Sequence, residues 1–312
     1  MRAMTAVLKK RLAKTRAVFD VDAMAALHAN KVWVQTYYRV NRIPYTLFHS
    51  ADNILHVGVT REGGFKRADL FAQPALVNQY VRSRNAKNVL ELAAGRGPNS
   101  AYLAARNPET ECVGVDRSEV QLKIARKAAA KYENFSVLRG DYHDLSRFQS
   151  GSFDIVFIVE AFCYSEDKPR VFAEARRILR AGGLFIIYEG FRRAGDAAFS
   201  EDQRLAASLV ERGVAINRYE THDRFCAMAR EAGFEIFKEE DLTQAAIPTC
   251  ARFERLARGF FKFPPLARAI VKVLPVHFAY NAVAGYFLTE LLRQRVFGYW
   301  LIVLKAPQTE NG

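Results

Sequence analysis

Through the middle of the sequence, short apolar runs closed by an acidic residue alternate with segments whose apolar positions recur at helical spacing. The first reads NVLELAAGRGPNS between Asn88 and Ser100: Val89, Leu90 and Leu92 suit a buried strand, Glu91 is its acid, and Gly95-Arg96-Gly97-Pro98 is a small-residue turn into a helix. Glu111 to Val115 follows and ends in Asp116, Val137 to Tyr142 carries Asp141, and Phe153 to Val159 ends in Glu160. A helix expected to close on Gly182-Gly183 then precedes the apolar run Leu184 to Tyr188, which ends in Glu189. Runs of this kind suit strands covered on both faces, and their alternation with helices predicts a parallel sheet with helices on both sides. The acids recur at successive carboxyl ends of strands, the edge along which open α/β sheets hold ligands.

The pattern divides the sequence into 1–85, a helical arm and cap; 86–243, the α/β core; 244–296, a helical insertion read as a lid; and 297–312, a final core strand and tail. In the arm, Val21 to Tyr38 and Asp69 to Arg84 read as helical, with the aromatic-rich stretch Tyr45 to Ser50 and a Gly63-Gly64 turn between them. Phe234 to Lys238 is the last strand before the insertion, and Phe297 to Leu304 returns after it. The insertion carries Arg252, Arg255, Arg258, Lys262, Arg268, Lys272, Arg293 and Arg295 against Glu254 and Glu290, interleaved with phenylalanines and tyrosines. Val273 to Thr289 is uncharged yet falls short of the roughly 20 apolar residues a spanning helix needs. Helices with large apolar faces and basic flanks suit peripheral contact with a membrane surface, or enclosure of a greasy substrate with an anionic head.

At 312 residues and 50% apolar the sequence suffices for a packed core, and a formal charge of +13 favours acidic partners: nucleic acid, anionic lipid or a phosphorylated substrate. The cysteines Cys112, Cys163, Cys226 and Cys250 include no C-x-x-C pair and no His at zinc-like spacing, so no metal site is expected. Cys112 reads as core, and Cys163 follows the fourth strand near the expected ligand edge. Reduced thiols suit a cytoplasmic enzyme, and the basic N-terminus lacks the apolar stretch of a secretory signal.

After Gly97 the sequence offers Pro98, Asn99 and Ser100 where a nicotinamide enzyme would place the rest of Gly-x-Gly-x-x-Gly, which excludes that reading. The order of motifs from about Asn88 to Phe191 instead resembles the class I S-adenosylmethionine-dependent methyltransferases. The resemblance implies a Rossmann-like seven-stranded, mostly parallel sheet with the last strand antiparallel. It implies a cofactor loop of Glu91, Ala93, Gly95 and Gly97, with Asp116 on the ribose hydroxyls, Arg117 beside the adenine, Gln121 one turn on, and Asp141 and Tyr142 at the adenine edge. Tyr37, Asn99 and Val159 complete the expected cofactor contacts. Ala93 stands where the family usually has a glycine, and its methyl is tolerable there only if the backbone keeps negative φ.

The stretch Val159-Glu160-Ala161-Phe162-Cys163-Tyr164, the pair Tyr188-Glu189, Tyr37-Tyr38 and Ile54-Leu55-His56-Val57-Gly58 are similar to motifs of the sterol and prenyl C-methyltransferases. Methyl transfer to a carbon-carbon double bond leaves a carbocation, which aromatic faces and buried carboxylates stabilise in a dry site. Glu160 is expected to stabilise the cation, with Glu189 beside it, His56 to take the proton, and Tyr38 to help close the cofactor pocket. Tyr45, Phe48, Phe162 and Tyr164 are further candidates to line the site. The expected partner is a hydrophobic isoprenoid, bearing a diphosphate if the lid arginines converge on the cavity mouth. A homo-oligomer is compatible with the sequence. The alternative is an O- or N-methyltransferase of a polar small molecule, with His56 or His143 as base. Nucleic acid is not expected, since Glu160-Ala161-Phe162-Cys163 stands where base-flipping motifs would lie.

Overall fold

The computed structural model describes residues 2–308. Ahead of the sheet lie α1 (Arg2–Arg16), α2 (Val21–Ala26), α3 (Lys31–Val40), α4 (Arg42–Phe48) and α5 (Ala72–Ser83). The alternating core then runs β1 (Asn88–Leu92), α6 (Pro98–Ala104), β2 (Glu111–Asp116), α7 (Glu119–Ala129), β3 (Phe135–Arg139), β4 (Phe153–Val159), α8 (Lys168–Ile178) and β5 (Leu179–Arg192). It continues through α9 (Glu201–Gly213), α10 (His222–Glu231) and β6 (Glu235–Asp241) to the lid helices α11 (Thr243–Phe260), α12 (Pro264–Val271) and α13 (Val276–Arg293), and ends with β7 (Phe297–Lys305).

The strands form one seven-stranded sheet in the order β3-β2-β1-β4-β5-β7-β6. β1 to β5 pair in parallel, while β7 runs antiparallel to both β5 and β6. The order reverses between β1 and β4, and there the outgoing loops part and leave a crevice at the strand tips. Leu90, Leu92, Val156, Ile158, Phe185 and Ile187 point into one core layer, and Val89, Ile155, Phe157, Ile186 and Val303 into the other. This two-residue alternation between layers explains why the runs are apolar at every position rather than every second one.

A third core joins the arm to the lid. Leu8, Leu12, Met24, Leu209, Phe261, Phe287 and Leu291 pack α1, α2, α9, α11 and α13 together. Within it, Arg11 reaches Glu254 at 2.5 Å and the carbonyl of Tyr286, and Glu254 also meets Arg258 at 2.6 Å and Arg293 at 3.6 Å. At the end of α9, a Cβ on Gly213 would lie 2.5 Å from the carbonyl oxygen of Tyr280, so α9 and α13 touch backbone to backbone.

Two local expectations change. Val21 to Tyr38 is not continuous: it breaks after α2, and Asn30 caps α3 through its side-chain oxygen, which accepts from the Trp33 N–H at 2.9 Å. Gly182-Gly183 does not close a helix; α8 ends at Ile178, and the pair lies in the irregular start of β5, with Gly182 at φ 71°.

Candidate functional site

A cavity of about 450 Å³ opens over the carboxyl ends of β1, β2, β3, β4 and β5, beneath α3, α4, α11 and α13. Its size falls within the roughly 300–1,000 Å³ of small-molecule sites. The strand-end acids Glu91, Asp116, Asp141, Glu160 and Glu189 all line it.

At the cofactor end, Gly95 has φ 55° and lines the cavity, with only the Ala93 carbonyl oxygen, at 4.0 Å, near where a Cβ would stand, so its backbone faces the cavity bare. Asp116 accepts from the Gly95 N–H at 2.9 Å and the Ser118 N–H at 2.7 Å, which ties the loop after β1 to the end of β2. Burial raises its pKa, and the two amides oppose that rise. Glu91 accepts from Asn99 at 2.9 Å and from the Ser100 hydroxyl at 2.5 Å, and burial pushes it up to about 7. Asp141 is pushed up by burial but held below its usual value by the His143 N–H and ring, 3.0 and 2.7 Å away. Ala93, Arg117, Gln121, Tyr142, Val159 and Tyr37 also line the cavity. A bare glycine edge, a carboxylate held by two amides and a neighbouring glutamine fit a ligand with vicinal hydroxyls, as S-adenosylmethionine has.

Two expectations for this loop are corrected. Ala93 has φ 53°, in the left-handed region, where an L-residue costs roughly 1–2 kcal/mol. Gly97 does not line the cavity: it starts α6 at φ 77°, and a Cβ there would press on Phe135 at 3.2 Å and Ala125 at 3.3 Å. Its smallness therefore serves helix-to-strand packing.

At the other end, Glu160 and Glu189 enter one chamber. Glu160 accepts from the Val57 N–H at 2.9 Å, and Glu189 from the Cys163 N–H at 3.0 Å. Burial first, and then the Glu189 charge, pushes Glu160 up to about 8; burial pushes Glu189 up to about 7. Glu160 also has φ 49°, a strained backbone of the kind that concentrates at working sites. The walls are tyrosines: the Tyr37 and Tyr45 hydroxyls lie 2.8 Å apart, Tyr37 donates to Asn281 of α13 at 3.2 Å, and Tyr38 meets Tyr164 edge-on at 5.8 Å.

His56 lines the chamber with each ring nitrogen facing a protein oxygen. Nδ1 faces the Val57 carbonyl at 3.1 Å and Nε2 faces the Asn99 side-chain oxygen at 3.2 Å, while burial lowers its pKa. Phe162 is not a wall residue; it is fully buried among Phe172, Phe185 and Phe225. The Phe48 side chain lies outside the described residues. None of the lid arginines or lysines lines the cavity; the lid contributes Phe253, Leu256, Phe260, Phe278 and Leu288, and the lining cations are Arg96 and Arg117.

Arg96 and Tyr219 carry no signal in the sequence. Arg96 is 2% exposed and reaches Gln121 at 3.2 Å and Thr46 at 3.1 Å, fastening α4 over the cofactor loop. Tyr219 comes from the irregular stretch after α9 and packs where a Cβ on Gly190 would lie 3.2 Å from its ring. Away from the cavity, His222, Cys226 and Glu239 bring one ligand atom each within 4.8 Å of one another, a set that spacing hides because Glu239 comes from β6. Its contacts of 3.3, 3.6 and 3.9 Å form a hydrogen-bonded group.

Residues 90–187 match the family described as "Methyltransferase domain". The chain is 28% identical over 186 residues to 24-methylenesterol C-methyltransferase 2 of Oryza sativa subsp. japonica, over 59% of this chain and 50% of that protein. It thus spans about half the length of the curated relatives it matches. Among solved structures it is similar to geranyl diphosphate C-methyltransferase from Streptomyces coelicolor A3(2), with TM-score 0.59 at 15% identity over 89% of this chain and 99% of that one. It is also similar to the cyclopropane synthase MmaA2 from Mycobacterium tuberculosis, with TM-score 0.71 at 14% identity over 87% and 96%. The protein has a class I S-adenosylmethionine-dependent methyltransferase domain and resembles the sterol and prenyl C-methyltransferase group.

Proposed function

We propose that the protein methylates a carbon-carbon double bond of an isoprenoid lipid whose head is neutral rather than a diphosphate. The observation that carries this reading is a tyrosine-walled chamber into which two carboxylates project while the lid's cations stay outside it. S-adenosylmethionine, when bound, supplies an electrophilic methyl group. Asp116, Gln121 and the bare backbone at Gly95 hold and orient it, and Glu160 and Glu189 sit where positive charge develops on the substrate. The tyrosine faces add quadrupole attraction in a largely apolar chamber beneath α3, α11 and α13. A carboxylate of this pair then takes the proton that leaves the cation, since both nitrogens of His56 face protein oxygens, the Val57 carbonyl and Asn99 Oδ1. His56 acts as a positioning residue through Asn99 and Glu91.

The neutral head follows from the lid. Glu254, buried between α11 and α1, engages Arg258 and Arg293, and Arg252 stacks on Phe65 at 3.9 Å, whereas the cavity receives Leu256 and Phe260. A diphosphate there would face apolar side chains, at a cost of several kcal/mol for an unpaired charge. The test is incubation with labelled S-adenosylmethionine and a panel of sterols, prenyl quinols, and geranyl and farnesyl diphosphates. Label is expected in the neutral lipids; label in a diphosphate alone overturns the head-group assignment, and label in none of them overturns the olefin.

The alternative, an O- or N-methyltransferase of a polar molecule, calls on a histidine as its base. His143, like His56, has both ring nitrogens facing protein oxygens, those of Asp141 at 2.7 Å and the Ser165 hydroxyl at 2.8 Å.

A further inference from the structure

The outer surface of the lid has the wrong composition for water. Phe263, Leu266, Ile270 and Val273 recur at helical spacing along one side of α12 and its flanking turns, and three of them are 61%, 56% and 80% exposed at Phe263, Leu266 and Val273 respectively. Helices of soluble proteins turn that stripe inward; α12 turns it outward and buries only Ala267. Leu256 of α11, on the preceding lid helix, is 52% exposed and also lines the cavity. On the far side, α3 approaches the start of α13 through Trp33, whose ring lies 4.1 Å from that of His277, and this brings in the exposed Val32 and Val276.

The charged side chains beside the stripe have one sign. Arg255, Lys262, Arg268 and Lys272 are exposed, and the only acid between residues 251 and 276 is Glu254, which is buried and paired. A second copy of the same face would meet like charge, and a neutral apolar partner would leave the cations unused. Among the described residues no helix is long and apolar enough to cross a membrane. An outward apolar stripe about two turns long with cations along its border has the form of a helix lying in the headgroup region, with lysine and arginine stems reaching to lipid phosphates.

We propose that α12 and its flanking turns dock on an anionic phospholipid bilayer, with Leu256 marking the route by which a lipid passes from the bilayer into the cavity. The inference rests on the isoprenoid-lipid reading for its purpose, but its test does not depend on activity. The full-length protein is sedimented with vesicles of phosphatidylcholine alone and of phosphatidylcholine mixed with phosphatidylserine, at low and high salt. Binding to the mixed vesicles, weakened by salt, is expected. Lys262→Gln with Arg268→Gln should lower the partition by about fivefold per cation removed. Phe263→Ser with Leu266→Ser should lower it further, with thermal unfolding and S-adenosylhomocysteine binding unchanged because both side chains are already exposed. Equal sedimentation with both vesicle types, or undiminished binding by the Phe263→Ser/Leu266→Ser protein, overturns the proposal. So does concentration-dependent dimerisation without vesicles that this double substitution abolishes, which would make the face a contact between copies. Methyl transfer to an isoprenoid in detergent micelles separates the two readings: retained transfer without vesicle binding removes the membrane alone, and vesicle binding without transfer removes the substrate.

Discussion

Replacing Glu160 by Gln removes a negative charge while keeping the acceptor that the Val57 N–H uses, so the geometry after β4 should persist. In the free protein the Glu160 carboxyl is pushed up to about 8, first by burial and then by Glu189, with Tyr299 and the Val57 amide pulling the other way. The ionised form that would stabilise a cation is then a minority at neutral pH: about a tenth at pH 7 and about a hundredth at pH 6. The expected kcat/KM falls about tenfold per pH unit below 8. The kcat profile bends at lower pH, because a cation held in the chamber favours the carboxylate. Glu160→Gln should remove that limb and lower kcat by roughly 10²–10³, the scale of a single preorganised electrostatic group. Glu189→Gln, by lifting the repulsion, should move the limb to lower pH. Stability gives an independent reading: the folded protein retains protons on Glu160 that the unfolded protein releases near the ordinary 4.5, so this carboxyl's contribution falls as pH rises from that value to about 8. The Gln variant should be more resistant to urea than the parent above pH 8 and close to it below 4.5. The assays are initial rates of label transfer from pH 6 to 9, and urea titrations over a wider range. An unchanged rate profile in Glu160→Gln, with cofactor binding intact, refutes the assignment.

Asp116→Ala removes the acceptor of both the Gly95 and Ser118 amides and the partner proposed for the ribose hydroxyls; calorimetry with S-adenosylhomocysteine should show affinity reduced by roughly 10- to 100-fold, at about 1.4 kcal/mol per decade. Glu254→Gln leaves Arg11, which is 4% exposed, without its nearer ion partner, and should cost about 3–5 kcal/mol in denaturant unfolding; Arg258→Gln, a change at an exposed residue, should cost under about 1 kcal/mol. Gly213→Ala drives a methyl into the Tyr280 carbonyl and the Ala284 methyl, and should lower the stability by about 1–3 kcal/mol as α13 shifts off α9.

The sheet was legible because its strands are covered on both faces. A strand buried on both faces is apolar along most of its length, as Val89-Leu90, Ile155 to Val159, Leu184 to Tyr188 and Tyr299 to Leu304 are, and the acids Glu91, Glu160 and Glu189 mark where three of these runs meet the cavity. The reversal of β7 followed from the resemblance rather than from any residue within Phe297–Lys305, since an apolar strand reads the same in either direction. The acids at the site were legible for the same reason, one per strand end. Side chains that arrive from loops were not. Tyr219 is set by the path of an irregular segment, and Arg96 is set by the turn after β1 and by partners on α4 and α7, so neither has a periodicity to betray it. Whether the lid cations converge on the cavity was open in the sequence, because the side of a helix that faces a cavity depends on which residues its neighbours bury. Here the neighbours bury Glu254 and Ala257 and leave Arg255, Lys262 and Arg268 outward.

Ala93 shows where sequence reasoning set the right condition and met the wrong outcome. A methyl at this position is free of strain only at negative φ, and the backbone instead turns left-handed at 53°, the same region as Gly95 two residues on. The turn is imposed from both sides. Ala94 N–H bonds to the Val115 carbonyl at 3.0 Å and Gly97 N–H to the Ala94 carbonyl at 2.8 Å, and the Gly95 N–H is held by Asp116, so Ala93 has no room to relax. Ala93→Gly should relieve roughly 1–2 kcal/mol of backbone strain at an entropic cost of roughly 0.5–1 kcal/mol. The expected result is a net gain of up to about 1.5 kcal/mol in urea unfolding, with unchanged or tighter binding of S-adenosylhomocysteine, since the methyl lines the cavity rather than a packed core. A loss of stability in Ala93→Gly would mean that the methyl makes contacts worth more than the strain, and that the loop after β1 is held by packing rather than by its hydrogen bonds.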